Sequence, residues 1–349
     1  MSSNAPSSTS EAPPPGVPLR WQRHLPGLAL CAALAAAAAF VAGLHGSAKP
    51  GPVMLYALMF GSAFHYQSSE PHSAPGIAWS SGSLLRLGVG LLGARITAEQ
   101  IAGLGLSTLA AVAAGITSTL LLGLLLARVL GQPRSLGVLA GGATAICGAS
   151  AALALAAVLP RSERSERDTL GVVVLATLFS TAAMLAYPLL ARALALPPAA
   201  AGLFIGGSIH DVAQVIVAGY VLGAPTGDIA TLVKLMRVAS LVLVVGTVAM
   251  VVARHGQPCA GRPPALPWFL GLFVGLVALR SLQLLPQELI LLLDQASRAC
   301  LLVGVAALGA KTSLPALARC GWRPVLLMAV CGVWLGGLML AAAMYLIPR

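Results

Sequence analysis

Long apolar blocks recur along the chain from Pro26 to the C-terminus, each closed by Pro, Gly or a charged cluster. About 20 apolar residues make one membrane-spanning helix. The blocks at 25–44, 51–66, 80–97, 104–130, 135–159, 168–196, 199–222, 226–254, 266–283, 289–310 and 322–347 read as eleven candidate helices. Two of them, 51–66 and 80–97, are short for a bilayer, so ten is the alternative count. None alternates polar and apolar positions in runs of about ten, the pattern of a transmembrane barrel. The expected fold is all-α and polytopic: one transmembrane domain over 21–349 behind a polar tail. That tail, residues 1–20, is Ser/Pro-rich and is expected to be disordered. The first run follows Arg20 and Arg23 and contains AALAAAAAF, which resembles a signal peptide. Its length and the helices behind it favour a retained first span.

Composition narrows the class further. Of 349 residues, 58% are hydrophobic and 9% charged, whereas soluble domains carry about a quarter charged residues. Six cysteines (Cys31, Cys147, Cys259, Cys300, Cys320, Cys331) are scattered without metal or CxxC spacing. The net charge of +11 comes from basic residues placed singly at helix ends, which fits cytoplasmic-side anchoring and anion handling better than nucleic acid. With eleven spans, Arg20, Arg23, Arg128, Arg134, Arg192, Arg254, Arg262, Lys311, Arg319 and Arg323 share the side of the N-terminus. Lys49, Arg95, Arg161, Arg164, Arg167, Arg280 and Arg349 fall opposite. That margin favours a cytoplasmic N-terminus only weakly. Gly88-Val-Gly-Leu-Leu-Gly-Ala-Arg95 is echoed by Gly304-Val-Ala-Ala-Leu-Gly-Ala-Lys311, 216 residues later. The two lie an odd number of helices apart, so they run oppositely, as in the inverted repeats of secondary transporters.

Two segments inside spans carry candidate chemistry. In Gly141-Gly-Ala-Thr-Ala-Ile-Cys147-Gly-Ala-Ser150 the clustered glycines, each about 1 kcal/mol poorer than Ala in a helix, mark a place for an interruption. A half-helix N-terminus there would present N–H groups and partial positive charge to an anion. Close packing through small residues is the competing explanation. In Gly206-Gly-Ser208-Ile-His210-Asp211-Val-Ala-Gln214 an acid sits beside a histidine at mid-span, at a cost of roughly 2.5–3.5 kcal/mol on insertion scales. Spacing i, i+4 puts His210 and Gln214 on one face. A polar knot that only orients helices is the alternative. Lys234 and Arg237 lie one turn apart, with Lys234 about 12 Å inside its span, where snorkelling to the interface competes with a substrate role. Asp294 and Arg298 read as an ordinary i, i+4 pair, and Arg86, Arg95 and Lys311 as boundary residues. His65, Tyr66 and His72 fall in a loop. No phosphate loop, GxSxG, HExxH or zinc-finger spacing is present.

GVGLLGAR, the 143–151 run ATAICGASA, GGSIHDVAQV at 206–215, KLMRV at 234–238 and LGAKTSL resemble the YeiH-type sulfate-exporter family of bacterial inner-membrane proteins, from about Pro26 to Arg349. The resemblance implies a relation to the bile-acid/sodium symporter and cation–proton antiporter folds, in which two discontinuous helices cross at mid-membrane. Segments 141–150 and 206–215 would then line the pathway.

The expected function is secondary transport, not enzymatic catalysis: export of a small inorganic or sulfur-containing anion across the bacterial inner membrane. Backbone N–H groups near Cys147, Gly148 and Ser150, with Thr144, would hold the anion, and Lys234 or Arg237 would supply charge. His210 and Asp211 would carry a coupling proton, and Ser208 and Gln214 would complete the lining. The deep groups Arg86, Lys234, Arg237 and Arg298 outnumber Asp211 and Asp294, in keeping with an anion. Expected partners are that anion, a coupling proton or sodium ion and the bilayer, with a homodimer as a candidate assembly and no nucleic acid, metal or cofactor. A sodium-coupled organic-anion symporter and, last, a membrane-embedded enzyme using His210 and Asp211 are the rivals.

Overall fold

Every apolar block is a helix. The computed structural model describes residues 23–44, 50–103, 105–160, 163–254, 267–311 and 321–346, and all regular structure among them is helical. The first helices are α1 (Leu25–Leu44), α2 (Pro50–Ala63), α3 (Ala74–Trp79), α4 (Leu85–Leu91), α5 (Ala98–Gly103) and α6 (Gly105–Val129). They are followed by α7 (Arg134–Ala145), α8 (Ala149–Ala156), α9 (Glu163–Ala193), α10 (Pro198–Ser208) and α11 (Val212–Leu222). The chain ends in α12 (Ala224–Arg254), α13 (Trp268–Ser281), α14 (Gln287–Lys311) and α15 (Trp322–Leu346). The stretch 74–94 is continuous through α3, a π turn and α4. Together with α1, α6, α9, α12, α14 and α15 it makes seven helices long and apolar enough to cross a bilayer; α2 and α13 are shorter. The chain is a multi-pass membrane protein. The polar tail 1–20, Lys49, Arg161, Arg262, Arg319, Arg349, Cys259, Cys320 and positions 312–314 lie outside the described residues.

The blocks at 135–159 and 199–222 are both interrupted, and here the crossing of discontinuous helices expected from the resemblance is corrected. Gly142 of α7 packs directly against the Leu155 side chain of α8. Thirteen residues apart on one straight axis, they would be roughly 20 Å from each other. Gly202 of α10 and Gly219 of α11 both lie against the same first turns of α12, at Thr226 to Ala230. Each block therefore folds back on itself as a helical hairpin whose arms reach about half-way through the bilayer, α7 being 12 residues long and α8 eight. A hairpin of two half-length arms uses as many residues as one span, so block length did not separate the two shapes. Nine of the eleven blocks remain as candidate crossings.

The hairpins open to opposite rims. The end of α6, the start of α7, the exit of α8, the start of α9 and the end of α12 meet around one cavity lined by Arg128, Arg134, Leu159, Ser165 and Val252. The starts of α1 and α3 share that rim with the end of α14, through Gly27 against Ser73 and the His65 Nδ1 contact to the Ala310 carbonyl at 2.7 Å. At the opposite rim, Arg95 binds Asp228 of α12 at 2.6 Å, and Arg192 of α9 donates to the Val221 carbonyl of α11 at 3.0 Å. Helices α6 and α15 run antiparallel, Gly115 facing Met339 and Trp334 Nε1 donating to Ser118 Oγ at 3.1 Å.

Two lobes result. One gathers α1 to α4, α13 and α14, and the other α6 to α12 and α15, with α11 against α2 as the main bridge. Small residues let backbones approach where lipid offers no hydrophobic drive. Gly123 lies on Gly137 and Gly141, Gly206 on the Ala230 carbonyl, and Gly61 on the Ala306 carbonyl.

The hairpins re-sort the charges. Arg164 and Arg167 move to the rim where α1 begins, joining Arg23, Arg128, Arg134, Arg254, Lys311 and Arg323; Arg192 moves to the other, with Arg95 and Arg280. The weak margin becomes a clear one, and the positive-inside rule assigns the α1 rim to the cytoplasm. An impermeant maleimide should label Gln287→Cys, but not Ser69→Cys, in intact cells carrying an otherwise cysteine-free chain. Ser69→Cys should react in inverted vesicles, and the reverse pattern would contradict this orientation.

Candidate functional site

Both hairpin tips lie buried where α12 passes between them. The first tip turns at Ile146-Cys147-Gly148, with Gly148 at φ +63°, a conformation only glycine adopts without strain. The second turns through extended Ile209 and Asp211, and the Asp211 carboxylate accepts from Ala213 N at 2.8 Å as the N-cap of α11. A Cβ on Gly148 would lie 3.6 Å from that of His210, so the two turns touch.

The arms that enter the membrane, α7 and α10, end with carbonyls that water cannot reach. Lys234 and Arg237, 0% and 1% exposed, satisfy them. Lys234 Nζ donates to the carbonyls of Ile146, Ile209 (3.0 Å) and His210. Arg237 donates from Nε to Ala145 (2.9 Å), from Nη1 to Gly206 (3.1 Å) and Ile209 (2.9 Å), and from Nη2 to Thr144 (2.9 Å). Two cations thus sit on the negative ends of two helix dipoles and tie the tips to α12. All three ammonium hydrogens are used. The direct substrate contact expected of Lys234 gives way to this structural one, while its charge stays in the site; snorkelling is overturned, because the side chain points inward.

The arms that leave, α8 and α11, begin at the same level with their positive ends. That of α11 is capped by Asp211, whereas no side chain caps α8. Ser150, in its first turn, is exposed and bonds back to the Cys147 carbonyl (3.1 Å) and Sγ (2.9 Å). Thr144, Cys147, Gly148, Ser150, Ser208, His210, Asp211, Gln214, Lys234 and Arg237 are therefore brought to one place. Within it, Ser208 Oγ is turned back onto the Phe204 carbonyl. Thr144 Oγ1, His210 Nδ1 and Gln214 Oε1 are buried without a hydrogen-bond partner. His210 is 3% exposed and has room for its ring beside Gly332 of α15.

Ser180 and Thr181 of α9 belong to the site and were not singled out from the sequence. Ser180 Oγ accepts from Asp211 N (3.0 Å), and Thr181 Oγ1 from Gln214 Nε2 (2.9 Å). Their signal was adjacent hydroxyls in the middle of an apolar span, which the flanking motifs overshadowed. A second polar cluster lies at the rim opposite α1. The Asp294–Arg298 pair is present at 2.8 Å, Arg95 contacts Asp294 (3.6 Å) as well as Asp228, and Tyr220 donates to Asp228 (2.6 Å). Arg95 is thus more than a boundary residue, for it links α4 to α12 and α14 across the lobes. No group of three His, Cys, Asp or Glu among the described residues is placed to hold a metal ion.

The family described as conserved hypothetical protein 698 matches residues 26–328. The UPF0324 membrane protein CT0845 of Chlorobaculum tepidum is 42% identical over 331 residues, 94% of this chain and 91% of the relative. UPF0324 membrane proteins named TauZ, from Paracoccus pantotrophus and Paracoccus denitrificans, are each 43% identical, over 90% and 89% of this chain and 93% and 92% of their own. No solved structure matches.

The clamp makes a stability prediction. Lys234→Met leaves the Ile146 and His210 carbonyls without donors, Ile209 keeping Arg237, at about 1–3 kcal/mol each, so thermal unfolding in detergent should show a loss of at least about 2 kcal/mol. Asn caps helices as well as Asp, so Asp211→Asn should melt near the parent while Asp211→Ala loses about 1 kcal/mol. A Lys234→Met variant as stable as the parent would contradict the clamp.

Proposed function

The chain belongs to the conserved hypothetical protein 698 family of membrane proteins, and from that premise we propose that it is a secondary-active transporter of a small inorganic or sulfur-containing anion. The observation that carries the reading is the uncapped N-terminus of α8 at mid-membrane, within one turn of two buried cations. Lys234 and Arg237 against Asp211 leave the site one positive charge in excess, and the free N–H groups of the first turn of α8 point their dipoles at whatever occupies it. The anion rests on the backbone N–H groups of Cys147 and Ser150, that of Gly148 being held by the Ala143 carbonyl at 2.8 Å, with the Thr144 hydroxyl and the Gln214 amide as polar walls. Asp211 and His210, adjacent on the second tip, take and release the coupling proton. The YeiH-type resemblance points to a sulfate- or sulfite-like substrate moving outward.

Alternating access has a scaffold in the helix order. At the 216-residue offset of the glycine-rich echo, α1 pairs with α12, α2 with α13, the 74–94 stretch with α14 and α6 with α15. Each pair runs in opposite directions, the arrangement of an inverted repeat. The sodium-coupled rival needs free tip carbonyls to bind the cation, and those of Thr144, Ala145, Ile146, Gly206, Ile209 and His210 already accept from Lys234 or Arg237. We read the His210–Asp211 pair as a carrier of protons between the two sides, not as the acid–base pair of an enzyme.

Proteoliposomes loaded with radiolabelled sulfate or sulfite test the proposal. Efflux should be accelerated by an opposing proton gradient and indifferent to sodium, and Asp211→Asn should slow it roughly tenfold or more, about 1.4 kcal/mol in barrier. Parental rates in Asp211→Asn, or a sodium requirement, would contradict it.

A further inference from the structure

The cavity at the rim where α1 begins takes no part in the tip site, and its chemistry is different. It encloses about 810 Å³ between the last turns of α6, the base of the first hairpin and the last turns of α12. Its walls are aliphatic, from Leu125, Val138, Val251 and Val252 among others. Leu125 and Val251 belong to the outward faces of their helices, 58% and 49% exposed, so the cavity opens toward the lipid. At its mouth stand Arg128, on the last turn of α6, and Arg134, the first residue of α7. Both guanidiniums are exposed, and neither makes a hydrogen bond or ion pair with any described residue. Their neighbour Arg164 is engaged, by Gln132 Oε1 at 3.2 Å and Asp168 at 4.0 Å. An aliphatic slot lying along the acyl layer, closed by two unpaired cations at headgroup level, is complementary to one class of molecule.

We propose that this cavity is a binding site for an anionic phospholipid of the leaflet on the α1 rim, its phosphate held between Arg128 and Arg134 and an acyl chain lying against α6 and α12. Basic pockets between helices on the cytoplasmic side recognise such headgroups, and this rim carries the excess of arginines that marks that side. Because Arg134 starts the arm that ends at the first tip, a lipid seated here would steady the base of that hairpin.

The test uses the purified full-length protein in neutral detergent. Short-chain phosphatidylglycerol should raise its melting temperature in a saturable way that weakens with added salt, and short-chain phosphatidylcholine should not. The R128Q/R134Q variant should retain the parent's lipid-free melting temperature and need roughly tenfold more phosphatidylglycerol for half of the shift; R128K/R134K should keep most of the response. Equal shifts with both lipids would mean that apolar filling alone is at work and would overturn the proposal. So would an Arg-dependent shift of the same size with inorganic phosphate, which would make the site one for soluble anions, or an unaltered phosphatidylglycerol response in R128Q/R134Q.

Discussion

A helix that ends inside a bilayer leaves carbonyls with nothing to bind, and two helices of this protein end there, tip to tip. In hydrocarbon each unsatisfied group costs several kcal/mol. The remedy is a lysine and an arginine one turn apart on α12, whose N–H groups are spread over carbonyls from both tips. Either cation buried alone would be prohibitive, and so would the bare carbonyls. Together they offset one another, and the partial negative charge of two helix ends stabilises two full positive charges. The packing around them follows from this: Gly206 must let α10 lie on α12, and Gly142 must let α7 lie on α8, or the tips would not reach the clamp.

The same constraint gathers polar groups at the tips. Once the incoming helices are satisfied, the outgoing ones still start there with their positive ends, and the chain caps only one of them. The proposed division between a proton-handling tip and an anion-handling tip rests on the asymmetry between Asp211 on α11 and the bare first turn of α8. Buried groups without partners, Thr144 Oγ1, His210 Nδ1 and Gln214 Oε1, belong to the same two tips.

Much of this could be read from residue order, because membrane helices announce themselves by length and apolarity, and all eleven blocks are helical. The interruptions were visible too, since Gly141, Gly142, Gly148, Gly206 and Gly207 crowd places where a plain span has no need of glycine. The direction of the chain after each interruption was not visible. A hairpin and a straight broken helix spend the same residues, and only Gly142 against Leu155, or Gly202 and Gly219 on one turn of α12, separates them. That ambiguity mis-sorted Arg164, Arg167 and Arg192 between the two sides. The candidate residues converge because buried polarity is rare enough to mark a site, yet the partners of Lys234 and Arg237 are backbone atoms far off in sequence, which residue types do not reveal.

The meeting of the two tips can be measured by cross-linking. Gly148→Cys and His210→Cys, in an otherwise cysteine-free chain with a protease site inserted between α9 and α10, place their Cβ atoms about 3.6 Å apart, within the range of a disulfide. After mild oxidation and cleavage the two fragments should migrate as one species until reduced. Fragments that separate without reductant, from a double variant that melts like the cysteine-free parent despite the side chain at the φ +63° position of Gly148, would show that the tips do not meet, and the clamp and the site between them would fall together.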